Sequence, residues 1–363
     1  MNVIAKKVSQ EDIISNSIPS LGGKPIWWIK LTNWEFWPFN VFYFPVFFYA
    51  AWLMLKARSF FFFSASNPGI ENGGMLGESK MKIFDVLPDK YKPVTCLLQP
   101  GVSLSEFNDQ LIKTKLSYPF ILKPDIGERG WMVRKIQNES QLKNYLEEIQ
   151  VPFLLQEYVE LPIELGIFYY RMPDEDNGQV TSIVLKEMMT VVGDGQSTVE
   201  QLLQKNPRSL ITLHEIRKTS GNIFNYVPEI GENVEVVPIG NHCRGTVFLN
   251  GNHLINSKVH SAIDTAAKTY PGFYFGRFDL RCESIEKLES GDFKIMELNG
   301  CGAEPAHIYH PGYPLFKAYG ELIYHLDLMY KIARINRKKG VRYMTLKEGF
   351  QLIQFLRSYN KNK

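Results

Sequence analysis

Three groups of residues in this sequence have types and spacings suited to chemistry. Lys123 ends the apolar run Phe120-Ile121-Leu122 and precedes a turn containing Gly127 and Gly130. A lysine at a strand end beside backbone amides can cradle a phosphate, the ammonium acting as point charge and the amides as donors. A surface Lys-Pro turn has the same outline. Glu157, Tyr158 and Val159 follow a second apolar run, and Glu164 stands seven residues after Glu157. Backbone groups there can meet a purine, while the two carboxylates can accept from ribose hydroxyls or a purine amino group; solvated acids are the plain alternative. The third group places Arg277 and Asp279 on one run and Glu297 and Asn299 on the next. Period-two alternation puts each pair on one face of its strand. Asp279, Glu297 and Asn299 then offer three oxygen ligands on paired strands, which suits Mg²⁺, a hard cation that keeps water and substrate phosphates among its ligands. A Glu and an Asn at the end of an apolar strand are otherwise expensive to bury.

The elements that must hold these residues are short and alternate in type. Residues 120–123, 131–134, 153–156, 165–170, 180–186, 276–281 and 293–298 are expected as strands, and 140–149 and 260–269 as helices, with a turn region over 172–179. Ser103 followed by Glu106 is a capping box that opens a helix over 103–114. Residues 60–63 are expected as a short buried strand leading into the small-residue loop 64–79. In an open α/β sheet the carboxyl ends of strands carry the ligand crevice, so Gly73, Gly74 and Gly77 are candidates for backbone approach to an anion. An ordinary turn-rich surface loop is the alternative. His307 and His310 stand near Cys301 in a Pro-Gly loop without a second thiolate at ligand spacing, so no transition-metal site is expected.

With 363 residues, 45% of them hydrophobic and 22% charged, the chain is globular and large enough for two or three folding units. The net charge of +3 is too small for a general nucleic-acid binder. Four cysteines without C-x-x-C spacing and no signal-peptide order at the N-terminus point to a reducing, cytoplasmic setting. The strongest anomaly lies at 34–63, where 15 of 30 residues are aromatic. Residues 37–55 carry no charge and are followed by Lys56 and Arg58, nearly the length and flank of a membrane-spanning helix. Pro38, Asn40 and Pro45 count against spanning, and the Trp, Tyr and Phe content suits the headgroup interface. Two readings stand here: a membrane-embedded or interfacial segment at a cytoplasmic face, and a buried or partner-facing aromatic helix. From Lys331 onward ten basic residues face one acid. Such a tail either sits against anionic lipid, at about 1 kcal/mol per residue, or forms a solvated helix.

The order of Lys123 with its Gly turn, Glu157-Tyr158-Val159, Glu164, Lys186, Arg277-Phe278-Asp279 and Glu297-Leu298-Asn299 resembles the ATP-grasp superfamily, the carboxylate–amine ligases typified by D-alanine–D-alanine ligase. The segment from Val192 to Thr198, with Leu202 and Leu203, also resembles part of cyanophycin synthetase. The resemblance covers about residues 115–320. It implies an α/β (α+β) ATP-grasp fold with a lid subdomain over 101–160 and a larger catalytic, metal-binding subdomain over 161–330. Residues 1–100 would precede it as an N-terminal region, and 331–363 would follow as a basic tail.

Residue by residue, the resemblance implies that Lys123 and Lys186 hold ATP phosphates. Glu157 and the backbone around Tyr158 and Val159 would bind adenine, and Glu164 ribose. Asp279, Glu297 and Asn299 would bind Mg²⁺, with two ions expected and Mn²⁺ as a substitute, and Arg277 would stabilise the transferred phosphoryl group. Asn241 and Arg244 fall where such ligases place a substrate-contacting loop, and Arg244 is the candidate for a substrate carboxylate. The implied partners are a small carboxylate and an amine, joined through an acylphosphate with release of ADP and phosphate. Transfer to a hydroxyl or thiol is the alternative, and a catalytically silent nucleotide-binding protein at a membrane is a third reading; the sequence leaves the oligomeric state open. Asp125, Glu128 and Arg129 crowd the phosphate loop 125–130, the turn from Gly300 to Pro305 replaces the small-residue turn usual after the metal-binding Asn, and the aromatic segment lies outside the ligase pattern.

Overall fold

The computed structural model describes residues 25–127, 130–237 and 245–361. Its strands form two main antiparallel sheets. The smaller runs in the order β1 (Thr95–Leu98), β4 (Phe153–Glu157), β2 (Phe120–Pro124) and β3 (Arg134–Ile136). The larger runs β11 (Lys294–Asn299), β10 (Phe275–Cys282), β5 (Ile163–Tyr170), β6 (Gln179–Glu187) and β9 (Val247–Asn250). Between β6 and β9 the chain makes a small module of its own from β7 (Met189–Val192), β8 (Asn233–Val237) and two helices around Val199, Leu203, Ile216 and Phe224. The Val192 to Thr198 segment is a turn of this module, in which Asp194 accepts from the Gln196 and Ser197 amides.

Local chemistry accounts for these elements. The helix Leu104–Thr114 opens on the expected capping box, the Ser103 hydroxyl accepting from the Glu106 amide and the Glu106 carboxylate accepting from the Ser103 amide. It buries Phe107 against Phe120 of the small sheet. In β10 the residues alternate: Phe278, Leu280 and Cys282 are fully buried on the core side, while Arg277, Asp279 and Arg281 share the other side. The core under the large sheet joins Ile167, Tyr169 and Ile183 to the helix Ser257–Lys268.

Three expectations need correction. Residues 60–63 form no strand: 62–65 make a 3₁₀ turn with Phe62 buried and Phe60 exposed, because four consecutive aromatics cannot alternate faces and still bury only one side. The third strand of the small sheet is Arg134–Ile136 rather than 131–134, because Gly130 at φ 72° and Met132 at φ 51° hold the preceding residues in a turn. With every ladder among the described residues antiparallel, the crevice rule of parallel α/β sheets does not govern the loop 64–79.

That loop is ordered by the core. Asn67 is fully buried, its amide donating to the Gly73 and Phe275 carbonyls at 2.9 and 2.8 Å while its oxygen accepts from the Tyr274 and Phe275 amides at 2.9 Å. Gly73 and Gly74 press against Gly300, where a Cβ on Gly74 would lie 2.7 Å from the Gly300 Cα. Their carbonyls accept from the Cys301 and Gly302 amides at 3.0 and 2.9 Å.

The aromatic segment is helix α1 (Ile26–Thr32), a 3₁₀ turn, and helix α2 (Phe39–Ala57), the latter long and apolar enough to cross a membrane by length and composition. Phe42, Val46 and Leu53 of α2 are buried on the long helix Leu315–Lys338 and its surroundings. The basic C-terminal stretch is the end of that long helix followed by the helix Leu346–Lys361.

Asn67→Ala would take a partner from the buried Phe275 carbonyl and from the Tyr274 and Phe275 amides, each worth about 1–3 kcal/mol, while the Gly73 carbonyl keeps the Cys301 amide. The expected result is a loss of about 3 kcal/mol or more in urea unfolding, with Asn67→Asp, which keeps the acceptor, falling between the variant and the parent.

Candidate functional site

The polar face of the large sheet is built around one carboxylate. Asp279 lies directly across from Glu297 on β11 and from Gly166 on β5. Gly166 matters because a Cβ there would stand 3.1 Å from Asp279 Oδ1 and 3.3 Å from Arg277 Cδ. Into the space so left, Arg277 donates from Nε to Oδ1 at 3.1 Å and from its terminal nitrogen to Oδ2 at 3.0 Å. Lys186 Nζ stands 3.1 Å from Oδ1, and the Asn299 amide donates to Oδ2 at 3.0 Å. Burial works against ionised Asp279, but the Arg277 and Lys186 charges outweigh it and hold the carboxyl below its usual range. The same burial disfavours charged Lys186, and Asp279 with Glu164 more than offsets it, keeping the ammonium protonated.

Glu164 extends the network. It accepts from Lys186 at 3.1 Å and from Arg281 at 2.9 Å, and Arg281 also donates to the Val159 carbonyl at 2.9 Å. Arg281 therefore ties the candidate ribose-binding carboxylate to the chain segment proposed to meet adenine. Tyr158 lies beneath Lys135, whose Nζ is 3.8 Å from the ring centroid. Glu157 turns its carboxylate to the Val94 amide at 3.0 Å.

A β-bulge joins the two sheets here. The β10–β11 register passes from Asp279 opposite Glu297 to Leu280 opposite Ile295, skipping Met296. The Met296 carbonyl is thereby left to accept from Lys123 Nζ at 3.1 Å, an interaction between sheets. Lys123 is buried, and that burial pulls its ammonium down to about 8, with Glu297 opposing the shift and Lys80 adding to it. Lys80 opens the helix Lys80–Val86, donates to the Gly127 carbonyl at 2.7 Å and stands 3.9 Å from Glu297. Asp125 accepts from the Ser79 hydroxyl at 3.0 Å and the Met81 amide at 2.8 Å, so this loop residue holds the start of Lys80's helix. Tyr359 of the C-terminal helix donates to the Ile126 carbonyl at 2.8 Å.

A small sheet carrying Lys123 thus meets a larger one carrying Lys186, Arg277 and the acidic strand pair, in the order along the chain that the motifs led us to expect. No family model matches the chain, and no curated protein matches it. Among solved structures the chain is similar to a D-Ala:D-Ser ligase from Enterococcus faecalis, at 16% identity over 71% of this chain and 62% of that one with TM-score 0.41. It is also similar to D-alanine–D-alanine ligase from Bacillus anthracis, at 14% identity over 74% and 70% with TM-score 0.42. A bifunctional glutathione synthetase from Pasteurella multocida matches at 14% identity over 67% and 35% with TM-score 0.31. The chain spans about 62% of the length of the D-Ala:D-Ser ligase.

The structure brings Lys123, Glu164, Lys186, Arg277, Asp279, Glu297 and Asn299 into one connected set. Gly127 lies beside it through Lys80, and Gly130 anchors the turn that follows. Gly73 and Gly74 serve as packing surfaces for the end of β11. Asn241 and Arg244, with Glu128 and Arg129, fall outside the described residues. Lys80 and Arg281 escaped the sequence reading. Arg281 had a signal, since it shares the i, i+2, i+4 face of Arg277 and Asp279, whereas Lys80 follows a loop and stands in no motif.

Among the described residues no three His, Cys, Asp or Glu side chains group to hold a metal, so a metal here depends on Asn299 as a ligand. The donor set is all oxygen, Glu297 is the carboxylate most open to solvent, and Asn299 shares its face. That set fits a hard cation that retains water.

Removing a partner from a buried ion pair costs about 3–5 kcal/mol, whereas a part-exposed pair at 3.9 Å is worth about 0–1 kcal/mol. Asp279→Ala should therefore lower the urea midpoint strongly and Glu297→Gln hardly at all, which makes Glu297→Gln the informative variant for activity.

Proposed function

We propose that this protein is an ATP-dependent ligase that activates a substrate carboxylate as an acylphosphate and joins it to an amine, releasing ADP and phosphate. The observation that carries the reading is the junction at Met296 and Glu297, where Lys123 from one sheet and the Lys186–Asp279–Arg277 set from the other come together. Five cations, Lys80, Lys123, Lys186, Arg277 and Arg281, gather at this junction among Glu164, Asp279 and Glu297, with Asp125 and Glu304 at its margins, and supply the positive groups a polyphosphate needs. Phosphoryl transfer needs such positioning and positive charge more than a nucleophile from the protein.

In this reading Lys123 and Lys186 hold the phosphates, and the chain from Glu157 to Val159 meets the adenine. Arg281 holds Glu164 toward the ribose. A carboxylate oxygen of the substrate attacks the γ-phosphorus as the bond to ADP breaks. The amine then attacks the acyl carbon, phosphate leaves and the amine loses a proton. Arg277, buried and fixed by Asp279, faces both charged stages. Asp279, Glu297 and Asn299 would hold Mg²⁺, as one or two ions with Mn²⁺ as a substitute, and the metal would neutralise phosphate charge. Gly127 and Gly130 would offer amides to the phosphates, and Arg244 and Asn241 would meet the substrate.

Incubation with Mg²⁺, ATP and pools of small acids and amines should give ADP and phosphate only with a pool containing both substrates. Glu297→Gln should reduce that release by about a hundredfold or more while unfolding like the parent. ADP release that needs only a hydroxyl or thiol compound would replace the amine ligase with a transferase or thiol ligase.

The lowered ammonium of Lys123 gives a second test. Phosphates favour its charged form, so ATP binding should take up a proton near and above pH 8. Calorimetry in buffers of different ionisation enthalpy should show that uptake, and affinity should fall up to about tenfold per pH unit above this point. Lys123→Arg should remove the inflection, since guanidinium stays charged throughout.

A further inference from the structure

The helix α2 has two apolar sides, and only one is used. Phe42, Val46 and Leu53 are buried, and Tyr49 donates to Asp327 of the long helix at 2.7 Å. Tyr43 of the same helix donates to Glu304, beside the polar face of the large sheet. On the opposite side Val41, Phe44, Phe48, Trp52 and Leu55 follow one another at spacings of three and four residues, and all are exposed, from 47% at Trp52 to 76% at Leu55. A solvent-facing helix side ordinarily carries polar residues. Trp27, Trp28 and Leu31 of α1 are exposed as well.

The charges of this segment are mainly basic. From Pro25 to Ile70 the basic residues are Lys30, Lys56 and Arg58, against the single acid Glu35. Lys56 stands over the Trp52 ring, its Nζ 4.5 Å from the centroid, at the end of the exposed stripe. Aromatic side chains beside lysines and arginines are the composition of a surface that enters the headgroup layer. A second copy of the chain would set the same cations against one another.

We infer that the outer face of α2, with the exposed tryptophans of α1, lies in the surface of an anionic bilayer. Spanning does not fit, because the inner face of α2 is joined to a helix carrying Glu321, Asp327 and Lys331, which would enter hydrocarbon with it. Only one side of α2 can be immersed, and the rest of the protein stays in water above it.

The test is sedimentation of the full chain with phosphatidylcholine–phosphatidylglycerol vesicles and with pure phosphatidylcholine vesicles, alongside light scattering. The chain should pellet with the mixed vesicles, less with the neutral ones, and less as salt is raised. It should be released by an alkaline carbonate wash. Phe44→Glu with Phe48→Glu should reduce pelleting at least about tenfold without changing the unfolding midpoint. If that pair does not fold, Phe44→Ser with Phe48→Ser provides the same comparison. Failure to pellet with either vesicle, equal pelleting with both, resistance to carbonate, or a dimer dissolved by these substitutions would each overturn the inference. None of these readouts depends on ligase activity, so the inference and the proposed reaction fail independently.

Discussion

The buried carboxylate of Asp279 is the constraint around which the large sheet is organised. Left alone in that environment it would take up a proton, and Arg277 and Lys186 left alone there would tend to lose theirs. Together they remain ionised, but only if the three side chains fit into one volume, which Gly166 leaves open on the neighbouring strand. Asn299 completes the coordination of the carboxylate, so the residue that caps β11 is oriented by the same group. Arg277 also reaches the Glu304 carbonyl at 3.4 Å, and the Glu304 side chain accepts from the Tyr43 and Tyr309 hydroxyls. The polar face of the large sheet and the aromatic helix are therefore linked by a short chain of hydrogen bonds.

The second requirement is that two sheets with separate cores meet at a fixed place. The skipped residue at Met296 meets it by presenting a main-chain carbonyl that the ladder leaves unused, and Lys123 takes it. Asp125 does related work from the other side, capping the helix that brings Lys80 to the junction. Apolar packing joins these polar contacts, since Leu154 of the small sheet lies in the core beneath the large one together with Phe84.

Much of this was legible in the sequence where residue type and period agree. The strand pair carrying Asp279 and Glu297 could be read from alternation, and the helix after Ser103 from its capping box. What could not be read depends on contacts between distant parts of the chain. The bulge at Met296 breaks the alternation that the reading of 293–298 assumed, and its purpose is visible only once Lys123 is seen across from it. The glycines at 73 and 74 looked like amides awaiting an anion, yet Gly73 is small because Phe63, Ser64 and Cys301 crowd it, and Gly74 because Gly300 lies against it. Four successive phenylalanines at 60–63 suggested a strand by composition, while packing on the long helix bends them into a turn. Lys80 belongs to no local pattern and reaches Glu297 because Asp125 and Gly127 hold it there.

The aromatic helix has one more consequence, which concerns synthesis. Tyr49 finds Asp327 278 residues later in the chain, and Trp34 finds the Tyr313 carbonyl 279 residues later. At roughly 5–20 residues per second, the ribosome needs on the order of 15–55 seconds to produce those partners. During that interval both sides of the helix are bare, in a nascent chain whose first sheet and much of its second already exist. The segment is thus an apolar surface made long before the residues that cover it, which marks it as a part of the newborn protein that a chaperone would shield.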